Sequence, residues 1–423
     1  MIETVGERGY QAVTVRDIVR RAGVSSRTFY EHFAGKEECF LATCELLARR
    51  SVKRVGAAQQ GCRDWRERLQ LAFWAWTRGI AREPGAARLA LVEAFAGGPA
   101  ALERMRRAED VFEAMLAQSF ACAPDRVAVP RLVVKGIVAG VQALARARLL
   151  DDRAHELPGL ARELLEWALC FRCPAAAALA PLGERSAPVL GGALTAGRRG
   201  RGTCEDDRAR VLDAAARLAA QAGFEKLTAA RIRAIAGVSR RRFDELFCNV
   251  DECFITAFEH DTGRALAQAV SAGTAGRTWP GGLHRALSAL CAQIAADPAS
   301  ARLQFIEILS LGLDGMHCRA RIIDGIARDF LASAPDGQRA SVLAAEASVG
   351  AIWGIIQRHV VSDRADRLPP ITPTLSYLAL APALGAQQAV EAIALEQARV
   401  RAGRSRRRPP TAARRSALAA WAC

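Results

Sequence analysis

Thr14-Val15-Arg16-Asp17-Ile18-Val19-Arg20-Arg21-Ala22-Gly23-Val24-Ser25-Ser26-Arg27-Thr28-Phe29-Tyr30-Glu31-His32-Phe33 is the stretch that decides the fold of this 423-residue chain. Thr14 is a good N-cap, and Asp17 three residues on makes a capping-box-like pair with it. Val15, Ile18, Val19 and Ala22 fall at i, i+3, i+4 and i+7, which gives a short helix one buried face. Gly23 can take the positive φ that ends this helix, and Val24 reads as the small buried hydrophobe of the turn. Ser25 caps a second short helix whose Phe29 and Phe33 face inward. Its outer face shows Ser26, Arg27, Thr28, Tyr30 and His32. An apolar anchor beneath a hydrogen-bonding surface suits a DNA major groove. A plain helix–helix corner needs neither Tyr30 nor His32 on its exposed face.

Working outward, the chain repeats itself. A shift of 214 residues places Gly9-Tyr10 on Gly223-Phe224, and Ala22-Gly23-Val24-Ser25 on Ala236-Gly237-Val238-Ser239. The same shift places Phe29 on Phe243, Phe33 on Phe247, Glu38-Cys39-Phe40 on Glu252-Cys253-Phe254, Trp65 on Trp279, Glu93 on Glu307, and Gly136 and Gly140 on Gly350 and Gly354. One insertion-free offset over so long a span points to two copies of a whole unit rather than a short solenoid module. Alanine and leucine dominate, aromatics are only 6%, and period-2 runs are hard to find, so the expected fold is all-α.

The string Thr14…Ala22-Gly23-Val24-Ser25…Thr28-Phe29-Tyr30-Glu31-His32-Phe33…Lys36-Glu37-Glu38 resembles the DNA-binding signature of the TetR/AcrR (tetracycline-repressor-like) regulator family. The resemblance implies two tandem units, each an N-terminal three-helix helix-turn-helix domain followed by an α-helical ligand-binding and dimerisation bundle. It implies base contacts from Ser26, Arg27 and Thr28 behind the cap Ser25, and phosphate contacts from Thr14, Tyr30 and Lys36. His32 shares that outer face. In the second copy the corresponding candidates are Thr228, Ser239, Arg240, Arg241 and Arg242. That copy departs from the pattern. Asp244 stands for Tyr30, Leu246 for His32, Val250 for Lys36, and Arg233 takes the place of Val19. An aspartate facing phosphates is repulsive, whereas three arginines at the start of a reading helix suit guanine edges and phosphates. The first copy departs too. Met1 aligns with Ala215, so the first half of the apolar helix that precedes Gly223 has no counterpart, which leads to the expectation of a start codon further upstream.

The expected domains are a first head at 1–48, a first helical body at 62–173, a linker at 174–203, a second, degenerate head at 204–262, a second body at 278–398 and a basic disordered tail at 399–423. A flexible linker of about 30 residues has an r.m.s. span of roughly 30 Å, which lets the two copies dock side by side. Leu69, Ala72, Phe73, Trp76 and Ile80 form one helical stripe, and Leu283, Leu287, Leu290 and Ile294 repeat it. Phe73, Trp74, Trp76, Phe95 and Phe112 are candidates to line a pocket for an apolar effector, with plain core filling as the alternative. Gly136-x-x-x-Gly140 and Gly350-x-x-x-Gly354 allow close helix packing. The expected arrangement is an intramolecular pseudo-dimer, with a homodimer of whole chains as the alternative.

The net charge is +15, but eight arginines and no acid lie between Arg399 and Cys423, so more than half of the excess sits in the tail and the DNA argument rests on the motif. No secretory signal or transmembrane run is read. The 12 scattered cysteines read as reduced thiols in a cytoplasmic protein. Cys170-x-x-Cys173 lacks both a βαβ context and further ligands, the histidines show no ligand spacing, and no phosphate loop or nucleophile elbow occurs, so no metal, cofactor or catalysis is expected. The resulting reading is a ligand-responsive transcriptional regulator, a repressor, binding double-stranded DNA and an unknown small-molecule effector. The alternative is a ligand-binding or protein-interaction module in which one or both heads no longer bind DNA specifically.

Overall fold

The computed structural model describes residues 1–125, 127–179 and 204–407. No strand occurs among the described residues. The first half runs α1 (Ile2–Arg8), α2 (Val15–Ala22), α3 (Ser26–His32), α4 (Lys36–Ala58), α5 (Trp65–Arg82), α6 (Pro84–Leu91), a 3-10 turn (Glu93–Gly97), α7 (Gly98–Ala121), α8 (Arg131–Leu150) and α9 (Leu157–Leu169). The second half runs α10 (Cys204–Ala222), α11 (Ala229–Ala236), α12 (Arg240–Leu246), α13 (Val250–Gly273), α14 (Trp279–Ala296), α15 (Pro298–Phe305), a 3-10 turn (Glu307–Leu311), α16 (Leu313–Ser333), α17 (Val342–Val361), α18 (Leu368–Leu384) and α19 (Ala386–Arg407). Several corresponding helices are equal in length: α2 and α11 at 8 residues, α5 and α14 at 18, α8 and α17 at 20.

Local chemistry explains the short helices. Thr14 Oγ1 accepts the Asp17 amide at 3.3 Å while the Thr14 amide donates to Asp17 Oδ2 at 3.1 Å, a reciprocal capping box. Gly23 ends α2 at φ 68° and Gly237 ends α11 at φ 68°, both left-handed. Ser25 and Ser239 cap α3 and α12 by accepting the amides of Thr28 and Arg242.

The difference in length between α1, of 7 residues, and α10, of 19, has a visible consequence. In the second half, the start of α10 reaches over α12: Arg242 pairs with Asp207 at 2.9 Å, and Arg208 lies over the Phe247 ring. Phe247 is buried there and Val238 half-buried. The 7-residue α1 does not extend so far. Val24 is therefore 43% exposed and Ala22 is exposed, against the expectation that both are buried, and Phe33 is only half-buried.

The two halves join along α8 and α17, whose backbones come into close contact. A methyl on Gly140 would collide with the Ala347 carbonyl oxygen, one on Gly350 with the Ala143 side chain, and one on Gly354 would lie 2.8 Å from the Ala139 Cβ. Both GxxxG segments are thus spent on one seam. α9 and α18 flank it. Buried hydrogen bonds cross it: Trp167 Nε1 donates to Ser348 Oγ at 3.1 Å, and Tyr377 Oη donates to the Phe171 carbonyl at 2.9 Å. Arg148 pairs with Glu346 at 2.9 Å, and Arg358 pairs with Glu109 at 2.6 Å.

Two expected boundaries move. Pro174–Leu179, assigned to the linker, is a 3-10 turn packed near α19, with Ala176 and Leu179 buried; residues 180–203 lie outside the described residues. The tail from Arg399 to Arg407 continues α19, because alanine, glutamine, glutamate and arginine are good helix formers and Arg399 pairs with Glu396 one turn back. The remainder of the expected tail, 408–423, lies outside the described residues. Among the described residues, no helix is long and apolar enough to cross a membrane.

The seam makes a prediction whose sign is unusual for glycine-to-alanine changes in helices. G159A, in open space on α9, should raise stability by about 0.4–1 kcal/mol. G140A should lower it by about 1–3 kcal/mol through overpacking. Thermal unfolding of the two variants checks this, and equal shifts in the same direction would contradict the close approach.

Candidate nucleic-acid interface and adjoining cavity

In the first head, Phe29 is buried and anchors α3. The opposite face is open: Ser25, Ser26 and His32 are exposed, Tyr30 is 57% exposed, and the Arg27 side chain is 90% exposed with Glu31 at 3.2 Å. Thr28 is half-buried, its hydroxyl 2.9 Å from that of Ser25. Thr14 is exposed at the cap of α2. Lys36 begins α4, and its ammonium is engaged within the head: it donates to the carbonyls of Tyr10 and Gln11 at 3.1 and 3.3 Å and lies 4.5 Å above the Tyr10 ring. At the N-terminus of α4 it holds the turn that precedes α2 rather than projecting freely.

The helices α10 to α12 of the second half have a similar layout but different side chains on the outer face. Phe243 is the buried anchor, and Thr228 and Ser239 are exposed caps. Arg240 and Arg241 are over 80% exposed, yet each faces an acid on the same helix face, Asp244 at 3.6 Å and Glu245 at 3.0 Å. Arg242, expected on the reading face, instead turns to Asp207 and Glu245, at 2.9 and 3.0 Å. The reason is the longer α10, which brings an acid within its reach. Lys36 has no basic counterpart: Asn249 caps α13 by accepting the Glu252 amide, and Val250 follows.

Each head is tied to its body by the same bond. Glu93, 3% exposed on the 3-10 turn after α6, accepts the Tyr10 amide at 3.0 Å; Glu307 on the corresponding turn accepts the Phe224 amide at 3.0 Å. The sequence aligned these two glutamates but assigned them no role. The available signal was an isolated acid recurring at the repeat offset within an apolar run. The two turns also touch each other, and Gln11 of the first head donates to the Ser310 carbonyl of the second half at 2.6 Å.

Among the candidate pocket residues, the structure brings three together. Trp76 and Phe112 line an open cleft of about 660 Å³ between α4, α5, α6 and α7, whose rim carries Arg50, Arg54, Arg104 and Arg107. Phe73, Trp76 and Phe112 also line an adjoining apolar pocket of about 80 Å³, with Gln142 shared by both cavities. Trp74 faces outward instead, 42% exposed beneath the Arg78 guanidinium, because it sits off the inward stripe of α5. Phe95 is buried away from both cavities, against Arg146 and Arg319. In the second half, glycines let the end of α13 close onto the start of α14: a methyl on Gly273 would lie 2.9 Å from the Gly282 carbonyl oxygen. The first half has Gln59 and Arg68 at those places, bridged by a bond from Gln59 Nε2 to the Arg68 carbonyl at 3.1 Å, so a long side chain separates the helices there.

Cys170 and Cys173 do not present a reactive pair. Burial pushes the Cys170 thiol up, which disfavours thiolate, and Cys173 is buried and donates to Gln387.

Residues 2–43 match the family model of the bacterial regulatory proteins of the tetR family. The matched segment is the first head, from α1 into α4. The chain is also similar to the HTH-type transcriptional activator FasR of Mycolicibacterium smegmatis (strain ATCC 700084 / mc(2)155), with 36% identity over 74 residues. That alignment covers 18% of this chain and 34% of the relative, so it spans about a third of the relative's length.

The Glu93 bond makes a pH prediction. Burial raises the Glu93 carboxyl above its ordinary 4.5, against the opposing pull of the Tyr10 amide and Arg88. A raised carboxyl binds its proton more tightly folded than unfolded. Its contribution is therefore greatest below pH 4.5 and falls as pH rises through the folded value. E93Q retains an acceptor for the Tyr10 amide and removes the titration. Denaturant unfolding from pH 4.5 to 7 should show the variant gaining stability relative to wild type as pH rises; a pH-independent difference would contradict the assignment.

Proposed function

We propose that this chain is a DNA-binding transcriptional regulator that carries two tetR-type units in tandem and pairs them with each other. The observation that carries the reading is the outer face of α3. Ser26, Arg27, Thr28, Tyr30 and His32 stand on a helix anchored by Phe29, inside the segment that matches the tetR family. The tandem arrangement is supported by the 214-residue offset, the equal helix lengths and the twin bonds of Glu93 and Glu307. The α8–α17 seam supports an intramolecular pseudo-dimer over a homodimer, because both GxxxG segments are already used within one chain.

In this reading the first head supplies the sequence-reading contacts, with Ser26, Arg27 and Thr28 at base edges and Thr14, Tyr30 and Lys36 at phosphates. A phosphate approaching the N-terminus of α4 competes with the Tyr10 and Gln11 carbonyls for the Lys36 ammonium. The second head, with Arg240 and Arg241 facing acids, adds weaker contacts, so the operator is asymmetric. A small molecule bound in the first-half cavity changes the spacing of the heads by its differential affinity for two arrangements. Repression follows where the bound protein occludes a promoter; the similar FasR is named an activator, and transcription assays read the sign directly. Such a protein works with the chromosome in the cytoplasm. The ion pairs that cover α12 favour one further reading for the second unit alone: a ligand-binding or protein-interaction module whose head no longer reads DNA.

The test is footprinting of the full chain on the DNA upstream of its own gene, with excess competitor DNA. The expected result is an asymmetric protected site. Y30A and K36A should each weaken it by about tenfold or more, and K36A should reduce the salt slope by about one. Salt-sensitive coating without a protected site would contradict the regulator reading.

A further inference from the structure

The body of the protein holds two cations that its own acids do not neutralise. Arg146 on α8 and Arg319 on α16 are 6% and 3% exposed. Their guanidinium carbons lie 5.4 and 5.3 Å from the centroid of one ring, that of Phe95. The Arg319 carbon also lies 5.9 Å from the Trp353 ring on α17. Among the described residues neither arginine has a carboxylate partner. Arg146 donates only to Gln142 Oε1, at 3.4 Å, and Arg319 only to Gln357 Oε1, at 3.3 Å, both long bonds to neutral acceptors. The nearest acid that acts on either charge is Glu109, which is already bonded to Arg358 at 2.6 Å.

Two buried donors at the same place have no acceptor: Arg319 Nε and Trp353 Nε1. Burying a guanidinium is costly unless it is paired and fully hydrogen-bonded, and two like charges side by side increase the cost. The aromatic faces return part of it. They cannot accept the in-plane N–H bonds. What the cluster lacks is one anionic acceptor with several oxygens.

We propose that Arg146 and Arg319, with Trp353 Nε1, form an anion-binding site between the two halves of the chain, and that it takes an oxyanion: a carboxylate, phosphate or sulfate group. Burial, together with the neighbouring cation in the case of Arg319, pushes both guanidiniums below their ordinary range, Arg146 to about 10. Gln142, the partner of Arg146, also lines both first-half cavities. An acidic group on a molecule in the cavity can therefore reach Arg146 by displacing the Gln142 carbonyl. Phe95 belongs to the 3-10 turn whose Glu93 holds the first head, so occupancy would be felt at that turn. The site itself stands on the two arginines and does not require DNA binding.

The test uses the full chain without DNA, so that its failure is distinct from failure of the regulator reading. Sodium sulfate and sodium benzoate are titrated against chloride at matched ionic strength, with benzamide as the neutral counterpart of benzoate. Binding is measured by calorimetry and by thermal unfolding. Wild type should bind one of the anions saturably, with a rise in Tm on the order of 2–4 °C. R319Q and R146Q should lose that response, and R319Q should be at least as stable as wild type in chloride. A response to sulfate identifies a free oxyanion. A response to benzoate but to neither sulfate nor benzamide identifies the acidic group of an organic ligand. No saturable uptake of either anion by wild type, or equal responses in the variants, would overturn the proposal; the wild-type calorimetry decides it even if a variant fails to fold.

Discussion

The backbones of α8 and α17 approach so closely that a methyl group cannot be placed on Gly140 or Gly350. Interdigitation at this distance is possible only where small residues face one another, and here glycines and alanines do so over both helices. The contact fixes the relation of the two halves. Each head packs on its own body through apolar contacts, α1 on α6 and α10 on α15, and a buried carboxylate, Glu93 or Glu307, on a short 3-10 turn adds a hydrogen bond to each junction. Because the two turns touch, and Gln11 reaches Ser310, the first head is registered against both bodies. The spacing of the heads is thus set from the seam outward.

The two halves joined at this seam differ in detail. The first has an exposed outer face on α3 and an open cleft, but its α1 leaves Val24 and Ala22 uncovered. The second has a long α10 and a well-covered head, with its arginines turned to acids and its α13–α14 junction closed by glycines. A side chain committed to an internal ion pair contributes less to an external partner, because the pair must be broken first. The cluster of Arg146, Arg319, Phe95 and Trp353 draws residues from both halves. It sits between the two bodies.

Much of the fold was legible because it rests on local chemistry. The Thr14–Asp17 box, the left-handed Gly23 and the serine caps act within a turn or two of chain. The inward stripe of α5 follows from periodicity, and Phe73 and Trp76 lie on it. Trp74 was misplaced for the same reason in reverse, since it breaks the stripe. Phe95, Arg242 and the Glu93 bond were not legible. Their partners lie far away in the chain, and no local pattern states that a glutamate will meet an amide 83 positions back. Only the first part of the expected tail differs: arginine is a good helix former, and α19 runs on from Arg399 to Arg407. The GxxxG segments were recognisable as packing sites, but only coordinates say that one meets the other.

The proposed pairing requires one chain to contain both partners. Native mass spectrometry of the full-length protein, at micromolar concentration, tests it most directly. A single chain of 45.4 kDa free in solution, and one chain per protected DNA site, is the expected result. A stable two-chain species, with the α8–α17 contact formed between chains, would contradict it.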